Sequence, residues 1–239
     1  MLMVTQLIGF GAVATEEPPP FSVFLGGQTS SSSPFNNFNL TSFGLGSEDP
    51  SRQILVMVYG GNANVVSDTN FTTAVSVGGV GVTRISQPSA STSRHHTAWL
   101  TPRQDSGGPT GATGTITASR STGNGYNTCG VVVYALYNRA DPALAIHSEI
   151  RNAGNPTASG TFDVAHGMMI FGICQQSSSP GFAWGGSGID ETYDNALGVG
   201  GTQRLGSARR DQVAGNAAYS VTATGAGAAT TDMLAISIA

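Results

Sequence analysis

The sequence predicts an all-β protein: an antiparallel β-sandwich of jelly-roll type with an N-terminal extended arm. Short apolar runs recur along the chain, from Gln53–Tyr59 to Met233–Ile238. Glycine-rich turns separate these runs, and the chain has 33 glycines in 239 residues. A helical pattern is passable only at Ala143–Ile150, which fits a strand equally well. About a dozen short strands with frequent turn signals are typical of a sandwich or jelly roll.

The first 20 residues predict an arm that is separate from the sandwich. Thr5–Ala14 is a candidate strand with apolar residues such as Phe10, and it ends at Glu16-Glu17 and three consecutive prolines. Such a proline run forms a stiff extended break. No Lys or Arg precedes the apolar residues, so we interpret the segment as mature structure and not as a signal peptide. We expect residues 1–20 to contact a neighbouring subunit and residues 21–239 to form one domain.

The clearest single element is the hairpin predicted over Phe71–Ile85. Val75 and Val77 alternate with small or polar residues before Gly78-Gly79, and alternation resumes after it. Strict alternation indicates a strand with one buried face, and a glycine pair supplies the positive φ that a tight hairpin turn needs. Before it, Phe21–Leu25 predicts a short strand closed by glycines and a serine run. Phe35–Phe43 alternates loosely.

The other strand predictions follow the same two patterns. Continuous apolar runs indicate strands covered on both faces, and alternating runs indicate strands covered on one. Gly185–Gly201 is interpreted as a long irregular excursion, and Thr161–Val164 with Met168–Cys174 as a strand pair turning at His166-Gly167. The remaining strands are predicted at Gln53–Tyr59, His96–Thr101, Ala112–Arg120, Val131–Leu136, Phe182–Trp184, Asn216–Thr224 and Met233–Ile238.

The chain has few charged residues, and the types of charged residue limit which partners it can bind. Charged residues make up 10% of the chain, against roughly 25% in an average globular protein. All ten basic residues are arginine, and the net charge is −4, so no basic footprint for nucleic acid is present. No apolar run is long enough for a membrane helix. A surface this poor in charge favours burial against other subunits, although a GC-rich genome explains the composition equally well. Arginine suits interfaces, and the candidates are Arg84, Arg103, Arg209 and Arg210.

Motifs for catalysis or metal binding are absent from the sequence. No nucleophile elbow, P-loop or His-Glu-x-x-His is found. His95 and His96 are adjacent and would face opposite sides of a strand. Asp190, Glu191 and Asp194 could hold Ca²⁺ in a flexible loop, but a solvated acidic loop is the favoured interpretation. No cofactor is predicted.

Cysteines and aromatic residues give two further expectations. The spacing of Cys129 and Cys174 follows no recognisable pattern, which favours two buried free thiols over a disulfide. Trp99, Trp184 and Tyr193 lie in or beside glycine-rich segments, where rings could stack on a sugar. We favour a core position for the two tryptophans, because large aromatic side chains dominate core energetics.

The series of features resembles a known group of proteins. It runs from the strand Phe38–Gly44 through Arg52–Val58 and the hairpin, and then through Thr97–Leu100, Gly114–Thr117 and Val131–Tyr134. FAWGG at Phe182–Gly186, the pair Tyr193-Asp194 and the strand Ala218–Thr224 complete it. Over Asn36–Ala239 this series is similar to β-sandwich structural proteins of tailed-bacteriophage virions. The resemblance implies a virion component: a head decoration or cement protein, or a tail or fibre protein.

Three functional hypotheses follow from these observations. The first is a non-enzymatic capsid decoration or cement protein that stabilises the particle by subunit–subunit contacts. Its partners would be major capsid or tail subunits and further copies of itself, and it would be located in the virion, assembled in the host bacterial cytoplasm. The alternative is a tail or fibre protein that recognises a host-surface glycan. The third is a hydrolase without visible motifs. The first is preferred, on the low charge, the absence of motifs and the resemblance.

Overall fold

The computed structural model describes residues 22–61, 72–86, 94–120, 126–138, 145–152, 156–164, 169–176, 181–197, 203–211, 216–225 and 231–238. The predicted arm, including Phe10, and His166 lie outside these residues. The described residues form strands and one short 3₁₀ helix at Gln104–Ser106. The strands are β1 (Ser22–Phe35), β2 (Asn37–Gly44), β3 (Gln53–Gly61), β4 (Thr72–Val77), β5 (Val80–Gly81), β6 (Thr83–Arg84), β7 (Arg94–Leu100), β8 (Thr113–Arg120), β9 (Tyr126–Leu136), β10 (Ala145–Asn152), β11 (Thr157–Val164), β12 (Met169–Gln176), β13 (Phe182–Gly185), β14 (Asp190–Leu197), β15 (Gln203–Asp211), β16 (Asn216–Gly225) and β17 (Thr231–Ile238).

Four antiparallel sheets build two sandwiches in succession. In the first half of the chain, sheet A has the order β1-β9-β3-β7-β6 and sheet B the order β2-β8-β4-β5. In the second half, sheet C has the order β10-β17-β12-β15-β14 and sheet D the order β11-β16-β13. In each half the first strand pairs with the last, the last pairs with the third, and the second strand begins the opposite sheet. This is jelly-roll connectivity, and the predicted fold class is confirmed.

The two halves follow the same strand order. Sheet C repeats sheet A if β10, β17, β12, β15 and β14 take the places of β1, β9, β3, β7 and β6. Sheet D repeats β2-β8-β4 of sheet B in the same way. The sequence shows no fixed-period repeat, because the jelly-roll order depends on which strands pair and not on any fixed residue spacing.

Three apolar clusters stack the sheets in the order B-A-C-D. Strand β3 shows why sheet A is an inner layer: Ile54, Val56 and Val58 pack toward sheet B. The alternate residues of β3 pack with Leu234 and Ile236 of β17 in sheet C. A third cluster, which includes Phe182 and Val221, lies between sheets C and D. The prediction that Gln53–Tyr59 is covered on both faces is therefore confirmed.

Six valines of the predicted strands are buried, as their apolar patterns predict. None of the six is more than 4% exposed. Ile170 and Ile173 lie in β12, but their side chains are outside the described part of the structure. The six valines are Val56, Val58, Val75, Val77, Val131 and Val133.

The hairpin prediction is correct at its turn and wrong in its second strand. Gly78 and Gly79 have φ of 58° and 82°, so both occupy the left-handed region. After the turn only Val80–Gly81 pairs with β4. Thr83–Arg84 pairs with β7 in sheet A, so the chain crosses from one sheet to the other within four residues. The crossing leaves Val80 and Val82 half-buried.

Other boundaries also differ from the predictions. The serine run does not close the first strand, because β1 continues to Phe35 and its backbone pairs with β9. The segment Ala143–Ile150 contains a strand, β10, and no helix. The segments predicted as a pair, now β11 and β12, lie in different sheets: β11 pairs with β16, and β12 with β15 and β17.

Candidate functional site

A polar cavity lies where β15 ends and β14 begins. Its volume is about 260 Å³, and Gly188, Asp190, Arg209 and Arg210 line it. Asp190 and Arg209 face each other in the register of β14 with β15. Successive residues of a strand point to opposite faces, so the side chains of Arg209 and Arg210 leave β15 on opposite faces of sheet C.

Arg210 is held in place from several directions. Its Nη1 donates a hydrogen bond to the Tyr219 hydroxyl at 3.1 Å, and that hydroxyl donates to the Ser187 carbonyl at 2.9 Å. The guanidinium carbon lies 5.0 Å from the centre of the Tyr219 ring, a cation–π distance. A Cβ on Gly188 would lie 3.1 Å from Nη1, and Gly188 has φ of +72°. Burial raises the pKa of Tyr219, and the nearby Arg210 charge opposes that shift.

Arg209 makes its contacts toward the first half of the chain. Its Nη1 donates to the hydroxyl of Ser22 at 2.7 Å and also to the Ser22 carbonyl oxygen. Ser22 begins β1 in sheet A. The side chain therefore links sheets C and A within one molecule, and whether it also meets a neighbouring subunit remains a prediction.

The other two arginine candidates lie in the first half. Arg84 is exposed, and its guanidinium carbon lies 6.0 Å from the centre of the Trp99 ring. Arg103 pairs with Asp105 at 2.8 Å beside the 3₁₀ helix. A hydrogen bond from Arg103 lowers the pKa of Asp105. The pair is solvent-exposed, so it adds little stability.

The acidic candidates lie on a strand and not in a loop. Asp190 and Glu191 begin β14, and Asp194 follows beyond a register shift between Glu191 and Tyr193. A strand fixes side-chain direction, which differs from the flexible, many-oxygen loop that Ca²⁺ prefers. Among the residues whose side chains are described, no group of three His, Cys, Asp or Glu is placed to hold a metal ion. The side chains of Glu191 and Asp194 are not among them.

The aromatic candidates take different positions. Trp99 is 5% exposed and belongs to the cluster between sheets A and B, and its Nε1 donates to the Thr97 hydroxyl at 2.9 Å. Its ring is therefore a core element and is not accessible to a sugar. Trp184 is half-buried against the cluster between sheets C and D, and its buried Nε1 has no hydrogen-bond partner in the described part of the chain. Tyr193 lies on β14, with its side chain outside the description.

The described histidine and cysteine side chains are buried. His96 is fully buried, and its ring centre lies 5.3 Å from that of Tyr59. His95 and His147 lie on β7 and β10, with side chains outside the description. Cys129 is a buried free thiol, as predicted, and burial raises its pKa strongly. A thiol in that state is not a nucleophile at neutral pH.

No helix within the described ranges is long and apolar enough to cross a membrane.

Sequence reasoning missed the structural role of Arg52. This side chain is 1% exposed. Its Nη1 donates to the carbonyls of Gly46 and Ser47 at 3.0 and 3.1 Å, and its Nη2 donates to those of Pro109 and Gly111 at 2.9 and 3.0 Å. It thereby joins two loops at one end of the first sandwich. The sequence signal for this role is a single arginine next to a continuous apolar strand.

The outer face of sheet B carries no charged side chain at its paired positions. Asn39, Thr117 and Ser76 are register neighbours across β2, β8 and β4. Asn37, Ser119 and Ala74 form the next row. These residues alternate with buried ones such as Phe38 and Ile116, so they face outward. The result is a surface of short uncharged side chains at these positions.

The outer face of sheet D has the same character. Ser159 pairs with Thr222, and Thr161 pairs with Ser220. Thr157 and Thr224 are also partners, with their hydroxyl oxygens 3.1 Å apart. Val221 and Ala223 alternate with them and are buried. At these positions the two ends of the four-layer stack are therefore lined with hydroxyl, methyl and, on sheet B, amide groups.

Comparison with known proteins gives weak matches. No protein-family model matches the chain, and no curated protein matches it. One solved structure, from work on the triple jelly-roll fold and turret assembly in an archaeal virus, is 11% identical with a TM-score of 0.30 and covers 91% of this chain. Another, from the atomic structure of Sulfolobus turreted icosahedral virus, is 9% identical with a TM-score of 0.29 and covers 89%.

The chain spans 59% of the length of each of these two viral chains. Both come from an archaeal virus, so the predicted relation to tailed bacteriophages remains a prediction. At such low identity and TM-score the matches carry no functional information. A function for this chain therefore has to rest on its own geometry.

Proposed function

We propose that this chain is a non-enzymatic structural subunit of a virus particle, and specifically a capsid decoration or cement protein of a tailed bacteriophage. The observation that supports this most is that the outer faces of sheets B and D carry no charged side chain at their described, paired positions. Solvated surfaces normally carry many charged side chains, which keep monomers apart. The cores of interfaces, in contrast, are depleted of charged residues. Such faces are suited to contact with major capsid or tail subunits, or with further copies of the chain.

The chemistry of the described residues fits a binding role better than a catalytic one. Acid–base or nucleophilic catalysis needs a base next to a nucleophile. The described thiol, Cys129, is buried with a raised pKa. Arg52 and Arg209 donate to carbonyl or hydroxyl groups inside the fold, which is structural work. Trp99 is buried and cannot stack on a sugar, which removes one candidate residue from the glycan-binding alternative.

The test places a charge in the centre of an outer face. Thr117→Arg introduces a cation between Asn39 and Ser76, where a close-packed partner would have to bury it. We expect the variant to fold but to be lost from purified particles, as measured by mass-spectrometric copy number. Thr110→Arg is the matched control, because Thr110 is exposed in a loop and outside the sheet. Equal incorporation of both variants would contradict the proposal for this face.

The arm has a separate proposed role and its own test. Residues 1–20 carry an apolar stretch held away by three prolines, and such a segment can add a strand to the sheet edge of a neighbouring subunit. Removing the residues before Phe21 should leave a folded protein, by circular dichroism and thermal unfolding, that no longer enters particles. A truncated protein that fails to fold would show that the arm completes the protein's own core.

A further inference from the structure

The two sandwiches pack on each other in a reciprocal pattern. Sheet C repeats the strand order of sheet A, so each strand can be given a position from one to five in its sheet. The central strands β3 and β12, both in position three, lie against each other. Strand β7, in position four, lies against β17, in position two. Strand β9, in position two, contacts β15, in position four, through the hydrogen bond between Tyr134 and Ser207. Such an exchange of positions between two packed units is the property of a twofold axis.

The sheet edges follow the same pattern. Strand β1, at the first edge of sheet A, lies against β14, at the last edge of sheet C. In a twofold dimer, each surface of one subunit has a counterpart on the other. Here the two units are halves of one chain, so their counterparts differ in sequence but keep their place. Sheet D repeats β2-β8-β4 of sheet B, and these two sheets are the outer layers of the stack. Their outer faces are therefore counterparts on opposite sides of the molecule.

The two outer faces also share their chemistry, and both are open to solvent. Thr117 is the outward residue at the centre of β8, with a register partner on each side. Thr222 has the same place on β16. Their partners on the edge strands, Asn39 on β2 and Ser159 on β11, are exposed. All four side chains are short and uncharged, so a protein surface that fits one face also fits the other.

We propose that the chain is bivalent: the outer faces of sheets B and D bind two copies of one partner subunit through an uncharged surface of that subunit. The bivalency rests on the particle role proposed above and adds the number and the equivalence of the partner sites. The partner is a subunit other than this chain, because copies that bind each other at both ends add without closing and form fibres. One chain thus bridges two shell subunits. The second contact forms at a high effective concentration, which makes attachment much tighter than one face alone provides.

Photo-crosslinking within particles tests whether both faces meet the same partner. The crosslinking residue p-benzoylphenylalanine replaces Asn39 in one variant of the full chain and Ser159 in another, both exposed positions on edge strands. Thr110, exposed in a loop, is the control position. We expect Asn39 and Ser159 to crosslink to the same peptide of the same subunit, identified by mass spectrometry. The control position should not give this product.

Charged variants measure what each face contributes. Particles assembled without the chain are mixed with the purified full chain, and the bound fraction is measured by sedimentation. Thr117→Arg and Thr222→Arg should each weaken binding by a similar factor, on the order of a hundredfold, because each removes one of two linked contacts. The double variant should not bind, and Thr110→Arg should bind normally. Circular dichroism and thermal unfolding check that each variant folds.

The outcomes separate bivalency from the particle role. Crosslinks from Asn39 and Ser159 to different subunits, or to a second copy of this chain, would overturn bivalency and leave the particle role in place. A loss of binding from only one of the two arginine variants would do the same. No crosslink at either position, together with normal binding of both arginine variants, would contradict the role of the outer faces as well. Because Asn39 and Ser159 are exposed, crosslinking keeps the test decisive if Thr222→Arg is unstable.

Discussion

Individual arginines stabilise this protein by donating hydrogen bonds inside the fold, although the chain contains few charged residues. Arg52 is buried at the base of the first sandwich and donates to carbonyls of two loops, at Gly46–Ser47 and at Pro109–Gly111. Loop carbonyls near a core need such partners, because water does not reach them. The planar fork of arginine can satisfy several at once, which a lysine cannot do with the same geometry.

Replacing Arg52 should therefore be costly. Arg52→Met keeps much of the apolar stem but leaves the loop carbonyls without donors, and we expect a loss of about 3 kcal/mol in the free energy of unfolding. The urea midpoint measures it. Arg103→Met is the matched control on the neighbouring loop, where the exposed pair with Asp105 should change stability by less than about 0.5 kcal/mol. Similar losses for the two variants would show that the carbonyl contacts of Arg52 are unimportant.

The burial of Tyr137 predicts how the stability of the protein depends on pH. Its hydroxyl donates to the Ser47 carbonyl, and burial raises its pKa above the ordinary value of 10.0, partly opposed by Arg52. The unfolded chain then loses the phenolic proton at lower pH than the folded chain, so stability should fall as the pH rises above about 10. Tyr137→Phe should reduce this fall, measured as urea midpoints between neutral pH and pH values above 10. An unchanged slope would contradict the assignment.

At the level of elements, the sequence predicted strands well wherever apolar residues set the pattern. The continuous run of β3 and the alternation of β4 and β8 were correctly interpreted, because burial on two faces or on one leaves a visible period. Strand β15 was missed. Its residues Gln203–Asp211 include three arginines, and it is a strand because β12 and β14 pair with it on both sides.

The candidate site was missed for the same reason. Arg209, Arg210 and Asp190 were each singled out from the sequence, but for different roles. They come together because β14 and β15 are neighbours, and β14 had been interpreted as part of an irregular excursion. Tyr219, which holds Arg210, comes from a different sheet. Local periodicity does not show which strands pair or which sheet a strand joins, even for strands that follow each other in the sequence.

The turn of the β4–β5 hairpin offers a test of a local prediction. Gly79 has φ of +82°, and a Cβ placed there meets no atom within 4 Å. Any destabilisation on substitution therefore reports backbone strain alone. Gly79→Val should cost about 1–2 kcal/mol, because L-residues are strained in this region, and Gly79→Asn should cost less, because Asn tolerates it. Equal urea midpoints for the two variants would show that the loop relaxes to another turn.

At the level of the whole molecule, the middle cluster makes the two sandwiches depend on each other. Sheets A and C bury Leu55, Met57 and Leu234 between them. The Tyr134 hydroxyl bonds the Ser207 hydroxyl across this layer, and Arg209 reaches Ser22. Each large apolar side chain gains about 1.5–3 kcal/mol from full burial. Separating the halves would expose a whole sheet face on each, so the prediction of one domain over residues 21–239 requires that they unfold together.

Fragments provide the test of this dependence. Residues 22–138 alone would expose to water the face of sheet A that packs on sheet C, including Met57 and Tyr134. Exposed apolar patches of this kind drive association, so we expect this fragment to self-associate in size-exclusion chromatography with light scattering and to bind a hydrophobic dye. Addition of residues 145–238 should convert it into a one-to-one complex that no longer binds the dye.

The full chain should give a single calorimetric transition as a matched reference, with equal calorimetric and van't Hoff enthalpies. Two resolved transitions, together with a monomeric fragment that melts at the temperature of the whole chain, would show two independent domains that merely touch. In that case the middle cluster would be a docking surface rather than a shared core. Because that cluster contains fully buried side chains from both halves, and two polar contacts join the halves, we expect the single transition.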